Sequence, residues 1–182
     1  MSVWPQKVHQ EFEDHWRMER SWKSLLSHLF PMDRFIISDE HYYVPTTLQS
    51  AGSWFRLKIE RYDRFDDATN LKTVLLIQFE PESRVTSAYW RAQVDHETRT
   101  GMDKMRETCS HPTIHGLAVF GRRVAFYTKT DDEVFPPRPP FHVAADLAPE
   151  TMWELEVTSG EGAERLKKMV EYIIAACDGE VP

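Results

Sequence analysis

The polar residues with the clearest chemical potential stand where a strongly hydrophobic stretch ends, in the sequence Ile77-Gln78-Phe79-Glu80-Pro81. Gln78 and Glu80 are two positions apart, so in a β-strand their side chains share one face. Earlier positions of the same stretch are apolar, which makes a polar pair at its end unusual. A carboxylate placed at a cleft in this way can do acid–base work, for example together with a histidine in an isomerase or cyclase type of enzyme.

A purely structural interpretation of this pair is also available from the preceding strand. Residues 54–62 alternate almost strictly, with Arg56, Lys58 and Glu60 on the polar face. If the two strands pair as a meander, Arg56 or Lys58 lies across from Glu80 and forms a cross-strand ion pair. An exposed pair of this kind contributes only about 0–1 kcal/mol and requires no function to explain it.

Other combinations of reactive residue types are weaker. His111 and His115 are four apart, but Pro112 lies between them in a segment that leads into a strand, so we do not expect them to face one metal ion. Cys109 is expected to be a buried or inert thiol. The acidic stretch Asp95-His96-Glu97 is expected on a solvated helix face. Signatures of kinases, zinc fingers, zincins and α/β-hydrolases are absent from the sequence.

Composition limits the classes of partner. The chain has 182 residues, of which 41% are hydrophobic and 28% charged, enough for a packed core. The 22 Lys and Arg against 29 Asp and Glu give a net charge of −7, which favours a protein or small-molecule ligand over nucleic acid. No apolar run is long enough to cross a bilayer, and no secretory signal is recognisable. We therefore expect a cytoplasmic or nuclear location without membrane contact.

The hydrophobic periodicity predicts the elements that position these residues. One helix is expected over residues 5–30, and a second over residues 86–107 with Gly101 as a weak point. A final helix is expected to start near Glu161. Strands are expected over residues 34–38, 42–44, 54–62, 71–80, 114–120, 124–130 and 153–157. The pattern predicts a single α/β domain over residues 1–182, with a mixed central sheet flanked by helices in the order helix, three strands, helix, strand.

This layout resembles the PD-(D/E)XK nuclease-like domain, also called restriction-endonuclease-like. In that family the third strand ends in an acidic residue or Gln, any residue, and then Lys, and the next helix often carries a Gln. The stretch before Pro81 resembles that strand, and Gln93 resembles the helix position. Glu19, or else Glu11, matches the carboxylate of the first helix. The resemblance covers residues 6–130, and the closing helix over residues 159–177 is similar to one in fungal members.

The resemblance implies a metal site, from which this chain departs at two positions. Glu80 stands where the family has its water-activating Lys, and Ser53, Trp54 or Phe55 stands where it has an Asp. The ligands that remain are Glu80 and Gln78, for Mg²⁺ or Mn²⁺ if the domain is catalytic. Lys58 is a possible substitute for the missing Lys. A second acidic ligand would be Glu60 or an acid among Asp63, Asp66 and Asp67.

The departures favour a degenerate, non-catalytic domain that acts as an intracellular binding module, with Arg56, Lys58, Gln93 and Glu19 as binding residues and no assured cofactor. One alternative is a metal-dependent phosphodiesterase with a migrated site, in which Glu80 and Gln78 hold the metal and Lys58 approaches the scissile phosphate. Another is the isomerase or cyclase type of enzyme named above. The proline-rich residues 135–141 are expected to be extended, as a rigid surface loop or as a ligand for an aromatic groove of a partner.

Overall fold

The computed structural model of the protein describes residues 3–13, 18–43, 53–62, 71–107, 109, 111–131, 133–139 and 146–179. Its strands are β1 (Phe35–Tyr43), β2 (Ser53–Tyr62), β3 (Leu71–Glu80), β4 (Ile114–Phe120), β5 (Arg123–Lys129) and β6 (Val134–Phe135). Its α-helices are α1 (Gln6–Glu13), α2 (Met18–Leu29), α3 (Ala88–Arg106) and α4 (Gly160–Cys177). None of the described helices is long and apolar enough to span a bilayer.

The six strands form one mixed sheet in the order β1-β2-β3-β4-β5-β6. Strands β1 to β3 are an antiparallel meander, and β4, β5 and β6 are also antiparallel neighbours. Strands β3 and β4 are parallel, which requires a long crossover, and α3 provides it. Both strands are almost wholly buried, as expected for central strands covered on both faces. The predicted α/β class with a mixed central sheet and flanking helices is confirmed.

Helices cover both faces of the sheet. On one face, α1, α2 and α4 pack against the sheet through a core that includes Phe12, Trp22, Leu25, Leu26, Leu75, Ile77, Leu117, Leu166 and Val170. On the other face, α3 packs through a second core that includes Leu76, Val94, Met102, Ala118, Phe120 and Trp153. Leu75, Leu76 and Ile77 of β3 therefore enter the two cores in turn, as the alternation of a strand requires.

Gly101 sets how closely α3 approaches the sheet. A Cβ at this position would lie 2.4 Å from Leu76 Cδ2 and 3.5 Å from the guanidinium carbon of Arg56. The sequence treats this glycine as a weak point of a helix, but the structure gives it a packing role. Because the residue has no side chain, the helix axis comes close to β3 and holds Arg56 against the sheet.

The predicted helix over residues 5–30 is wrong as one continuous element. The chain forms α1 and α2, and residues 14–17 lie outside the described part. The Ser21 hydroxyl donates a hydrogen bond to the backbone carbonyl of Glu11. A straight helix would separate these residues by about 15 Å. The two helices therefore meet at an angle, which the apolar periodicity cannot reveal because both present their apolar faces to the same core.

Two strand predictions also change. The segments 34–38 and 42–44 belong to the single strand β1 as far as Tyr43, and residue 44 lies outside the described part. The predicted strand over 153–157 is absent: a 3₁₀ turn, Glu150–Trp153, leads into a single bridge between Glu156 and Arg123. Trp153 packs in the core beneath α3, whereas Val157 packs in the opposite core. The segment thus crosses from one face to the other, so its apolar spacing does not follow a strand.

Candidate functional site

The pairing of β2 with β3 determines which candidate residues meet. Arg56 lies opposite Gln78, and Lys58 lies opposite Leu76. The prediction that Arg56 or Lys58 faces Glu80 across the sheet is therefore wrong, because Glu80 extends beyond the paired part of β2. A difference of two residues in register is enough to exchange the partners of the whole polar face.

Arg56 is the centre of a buried polar cluster. Its side chain is only 7% exposed, and its Nε donates to Gln78 Oε1 at 3.0 Å. Its guanidinium also lies 3.7 Å from the Glu40 carboxylate on β1 and 3.8 Å from the Glu97 carboxylate on α3. Gln78 in turn donates from Nε2 to the backbone carbonyl of Phe55, at 3.4 Å. Arg56 thus connects three strands with the helix above them.

Lys58 and Gln93 complete this cluster. Lys58 is 23% exposed and forms an ion pair with Glu40. Gln93 donates from Nε2 to Glu97 Oε1 at 3.2 Å. We call the six residues Glu40, Arg56, Lys58, Gln78, Gln93 and Glu97 the Arg56 cluster. It contains two cations and two carboxylates, so its formal charges balance, and the sequence did not indicate either acid as a member.

Glu80 takes a different partner from the one expected. Its side chain is 3% exposed and forms an ion pair with Arg84 Nη1 at 2.7 Å. The Arg84 guanidinium lies over the Trp90 ring, 3.8 Å from its centroid. Burial raises the pKa of Glu80 and the Arg84 contact works against that shift. This partner was not predicted because Glu80 ends a strand and Arg84 lies in the 3₁₀ turn that follows, and a spacing of four is informative only within a helix.

These positions do not fit the divalent metal that the resemblance implies. Mg²⁺ and Mn²⁺ require several oxygen ligands, but the Glu80 carboxylate and the Gln78 amide oxygen are each engaged by a guanidinium. Glu60 is hydrogen-bonded by Ser38 and Thr73. Among the described residues, no three His, Cys, Asp or Glu side chains are arranged to hold an ion. The other acidic candidates, residues 63, 66 and 67, lie outside the described part of the chain.

Glu19 lies away from the Arg56 cluster. It forms an ion pair with Lys23 at 2.8 Å, and Lys23 also contacts Asp39 of β1 at 2.5 Å. Asp39 and Glu40 are adjacent on one strand, so their side chains point to opposite faces of the sheet. The first-helix carboxylate is therefore across the sheet from Arg56. The alternative carboxylate, Glu11 on α1, has one buried oxygen without a hydrogen-bond partner.

A second buried network, which the sequence did not indicate, is centred on Asp95. This residue is 1% exposed, so the expectation of a solvated position is wrong. Its carboxylate accepts from the Tyr127 hydroxyl at 3.0 Å, from Arg99 Nε at 2.7 Å and from Arg138 Nε at 2.8 Å. Burial, together with the Asp95 carboxylate, raises the pKa of Tyr127 well above its ordinary value, so the hydroxyl remains a donor.

This network fixes the described part of the proline-rich segment, residues 135–139. Arg99 also donates to the backbone carbonyl of Pro136, at 2.6 Å. An open groove lies on each side of the segment. The α3-side groove has a volume of about 660 Å³ and is lined by His96, Arg99, Thr100, Asp103, Glu133, Phe135, Pro137 and Arg138. The α4-side groove, of about 600 Å³, is lined by Phe126, Phe135, Pro136, Met152, Leu155 and Arg165 among others.

Comparison with known protein families, curated proteins and solved structures finds no match to this chain. Its function must therefore be inferred from the geometry and chemistry of these sites. The structure brings Arg56, Lys58, Gln78 and Gln93 together and gives Glu80 and Glu19 other partners. Their roles in binding or catalysis stay predictions.

Proposed function

We propose that the chain is a non-catalytic domain with a restriction-endonuclease-like fold that binds a small molecule. The observation that carries this proposal is the buried ion pair between Glu80 and Arg84. A metal-dependent nuclease needs carboxylates that are open to a cation and to the phosphate it activates. At the corresponding place this domain has a guanidinium, which repels a cation and occupies the carboxylate.

The order of the elements supports the fold part of the proposal. Three antiparallel strands are followed by a crossover helix and a parallel fourth strand, in the order that the resemblance implies. The polar pair stands at the end of the buried third strand, where the family carries its motif. The chain thus retains the layout while its motif positions serve packing and charge balance.

The α3-side groove supports the binding part. Its volume of about 660 Å³ lies within the usual range for small-molecule sites, about 300–1,000 Å³. Arg99 and Arg138 share the single buried carboxylate of Asp95, so these three groups together carry one net positive charge. Phe135 and Pro137 add flat apolar surface beside them. Two acids also line the groove: Asp103 forms an ion pair with Lys129 at 2.9 Å, and Glu133 is exposed to solvent. The two guanidinium groups and the apolar surface beside them suit a ligand with a ring and one carboxylate or phosphate group.

Catalysis is tested by incubating the protein with single- and double-stranded DNA and RNA in millimolar Mg²⁺ or Mn²⁺. We expect no cleavage above that of Glu80→Ala, and no shift of the melting temperature by either ion, because the carboxylate is already engaged. Metal-dependent cleavage that disappears in Glu80→Ala would establish the migrated nuclease site and refute the non-catalytic assignment.

Binding is tested with a panel of aromatic carboxylates and phenyl phosphates, followed by amide chemical shifts in NMR spectra. We expect shifts at residues of the α3-side groove, and an affinity reduced about tenfold or more in Arg138→Ala because a charge-assisted hydrogen bond of about 1.5–3 kcal/mol is lost. Arg20→Ala, an exposed arginine on α2, is the matched control. The binding assignment fails if no member of the panel shifts groove residues, or if both variants bind equally well.

A further inference from the structure

Two cysteines and two histidines line one small cavity, although Cys177 is distant in sequence from the other three. Cys109 and His111 come from the segment before β4, His115 from β4 itself, and Cys177 from the last residue of α4. The rest of the lining includes apolar side chains, among them Val74 and Ile173. The cavity volume is about 10 Å³, which is on the scale of a single water molecule or ion.

His115 gives an independent indication that something is bound here. Its side chain lines the cavity, its exposure is only 7%, and neither ring nitrogen has a hydrogen-bond partner. Tyr172 packs against the ring edge-to-face, with centroids 5.4 Å apart. Burial lowers the pKa of His115 to about 4. The imidazole is therefore neutral at pH 7, with a lone pair available to a metal, and a bound ion would give this buried group the partner that it otherwise lacks.

Cys177 and His111 are already at the separation of two metal ligands. The distance from Cys177 Sγ to His111 Nε2 is 3.5 Å. In a tetrahedral zinc site, a Zn–S bond of about 2.3 Å and a Zn–N bond of about 2.0–2.1 Å place the two donor atoms about 3.5 Å apart. Burial raises the pKa of Cys177, and the Arg61 guanidinium near the thiol works against that shift.

We propose that Cys109, His111, His115 and Cys177 form a structural Zn²⁺ site that fixes the end of α4 to the start of β4. No three of these described side chains are yet arranged around a common point. The Cys177–His111 pair is the preformed half, and the ion draws Cys109 and His115 into the coordination sphere. Each thiol loses its proton to solvent as its sulfur–zinc bond forms, so affinity rises with pH. This site is separate from the Arg56 cluster and from the grooves that the proposed function uses.

The experiment uses the full chain, freed of metal with a chelator under reducing conditions and titrated with Co²⁺ as a spectroscopic probe. We expect one Co²⁺ per chain with the thiolate-to-cobalt absorption of a tetrahedral site, quantitative displacement by Zn²⁺, and a higher melting temperature in Zn²⁺. In Cys177→Ser and His115→Gln we expect the Zn²⁺ affinity to fall about 100-fold or more, since changes even in residues that only support ligands cost 10–100-fold. His28→Gln, an exposed histidine on α2, should behave as wild type.

The wild-type spectrum decides the matter even if a cysteine variant does not fold. Absence of thiolate-to-cobalt absorption at millimolar Co²⁺ would overturn the proposal. Binding that is reduced by His28→Gln but unchanged in Cys177→Ser and His115→Gln would overturn it as well. Neither result bears on the small-molecule groove, whose test uses organic acids in the absence of metal.

Discussion

At the scale of single residues, burial determines what the candidate groups can do. Arg56 and Glu80 look like surface partners in the sequence, but both are covered in the structure. A buried charge is tolerated only when an opposite charge or several hydrogen bonds accompany it. The Arg56 guanidinium has two acidic partners, Glu40 and Glu97, and donates a hydrogen bond to Gln78. The Glu80 carboxylate has the opposite charge of Arg84 beside it. These groups are therefore engaged with one another inside the fold.

The first prediction concerns the Arg56 cluster. We expect Arg56→Met to lower the free energy of unfolding by about 2–3 kcal/mol, somewhat less than the full cost of breaking a buried ion pair because both acidic partners are partly exposed. Lys58→Met is the matched control on the same strand face. This substitution should lower the free energy of unfolding by no more than about 1 kcal/mol, as for other partly exposed ion pairs. Urea denaturation measures both variants, and equal losses would contradict the central role of Arg56.

The second prediction concerns the pH dependence of Glu80. The pKa of its carboxyl is raised above the ordinary 4.5, so the folded state holds the proton more tightly than the unfolded state does. The stability that this contributes is complete below pH 4.5 and is lost as the pH rises through the folded-state pKa. Glu80→Gln has no carboxyl group to ionise at this position, so its stability does not fall in this way. The free energy of unfolding of the variant minus that of the wild type should therefore become more positive from pH 4.5 to pH 7. Thermal unfolding across this range measures it.

Glu171→Gln, which removes an exposed carboxylate of α4, is the control for the change of net charge. Its difference from wild type should stay nearly constant over the same pH range. A Glu80→Gln difference that becomes more negative towards pH 7 would show that Arg84 outweighs burial, and that the carboxylate is a stabilising ion.

At the scale of elements, close approach decides how each helix sits on the sheet. Gly101 lets α3 lie directly on β3. At the start of α4, a Cβ on Gly162 would lie 2.1 Å from the backbone carbonyl oxygen of Glu156. The Ser159 side chain caps this helix by accepting from the Gly162 backbone N–H at 3.3 Å. The first turn of α4 is therefore pressed against the segment that bridges to Arg123.

The third prediction follows from that contact. We expect Gly162→Ala to destabilise the protein by about 2–3 kcal/mol, since a clash with backbone cannot be relieved by a change of rotamer. Gly160→Ala in the same turn meets nothing within 4 Å. It should be neutral or stabilising by about 0.5–1 kcal/mol, as alanine loses less conformational entropy than glycine on folding. The melting temperature should fall in Gly162→Ala and should stay the same or rise in Gly160→Ala. If both melting temperatures change in the same direction, the close contact of α4 with Glu156 is contradicted.

At the scale of the whole molecule, the two cores share one sheet. Strands β3 and β4 contribute alternate residues to both, so neither core can come apart without disturbing the strands of the other. Six tryptophans occur in the chain, and Trp22 and Trp153 report on opposite faces. That residues 1–182 form one domain stays a prediction, which a folding experiment can test.

The fourth prediction is a single cooperative transition in urea. Leu25→Ala on the α2 side and Met102→Ala on the α3 side should each lower the free energy of unfolding by about 2–5 kcal/mol, because both side chains are fully buried. Each variant should shift the tryptophan fluorescence and far-ultraviolet circular dichroism curves by the same amount. Two separate transitions, with each substitution moving only one of them, would show that the layers fold independently.

The class of fold could be predicted from the sequence alone, because the hydrophobic period and the residues that break helices and strands act locally. The apolar run of residues 74–77 predicted a central strand, and the structure confirms it. The period of α4 and the two strands β4 and β5 followed in the same way, whereas the strand predicted over residues 153–157 did not form. Local pattern could not distinguish one helix from two at residues 5–30, since both helices use the same apolar face.

The partners of the polar side chains, in contrast, depend on how the strands and helices pack against one another. The register between β2 and β3 places Gln78 opposite Arg56, and Glu80 forms its ion pair with Arg84 instead. Asp95 is buried because α3 packs closely on the sheet. Cys177 lies beside His111, 66 residues away in sequence, because of the way α4 packs. A displacement of two residues changes every such pair while leaving the hydrophobic pattern almost unaltered. The chemistry of the site therefore depends on distances between elements, which no local stretch of sequence encodes.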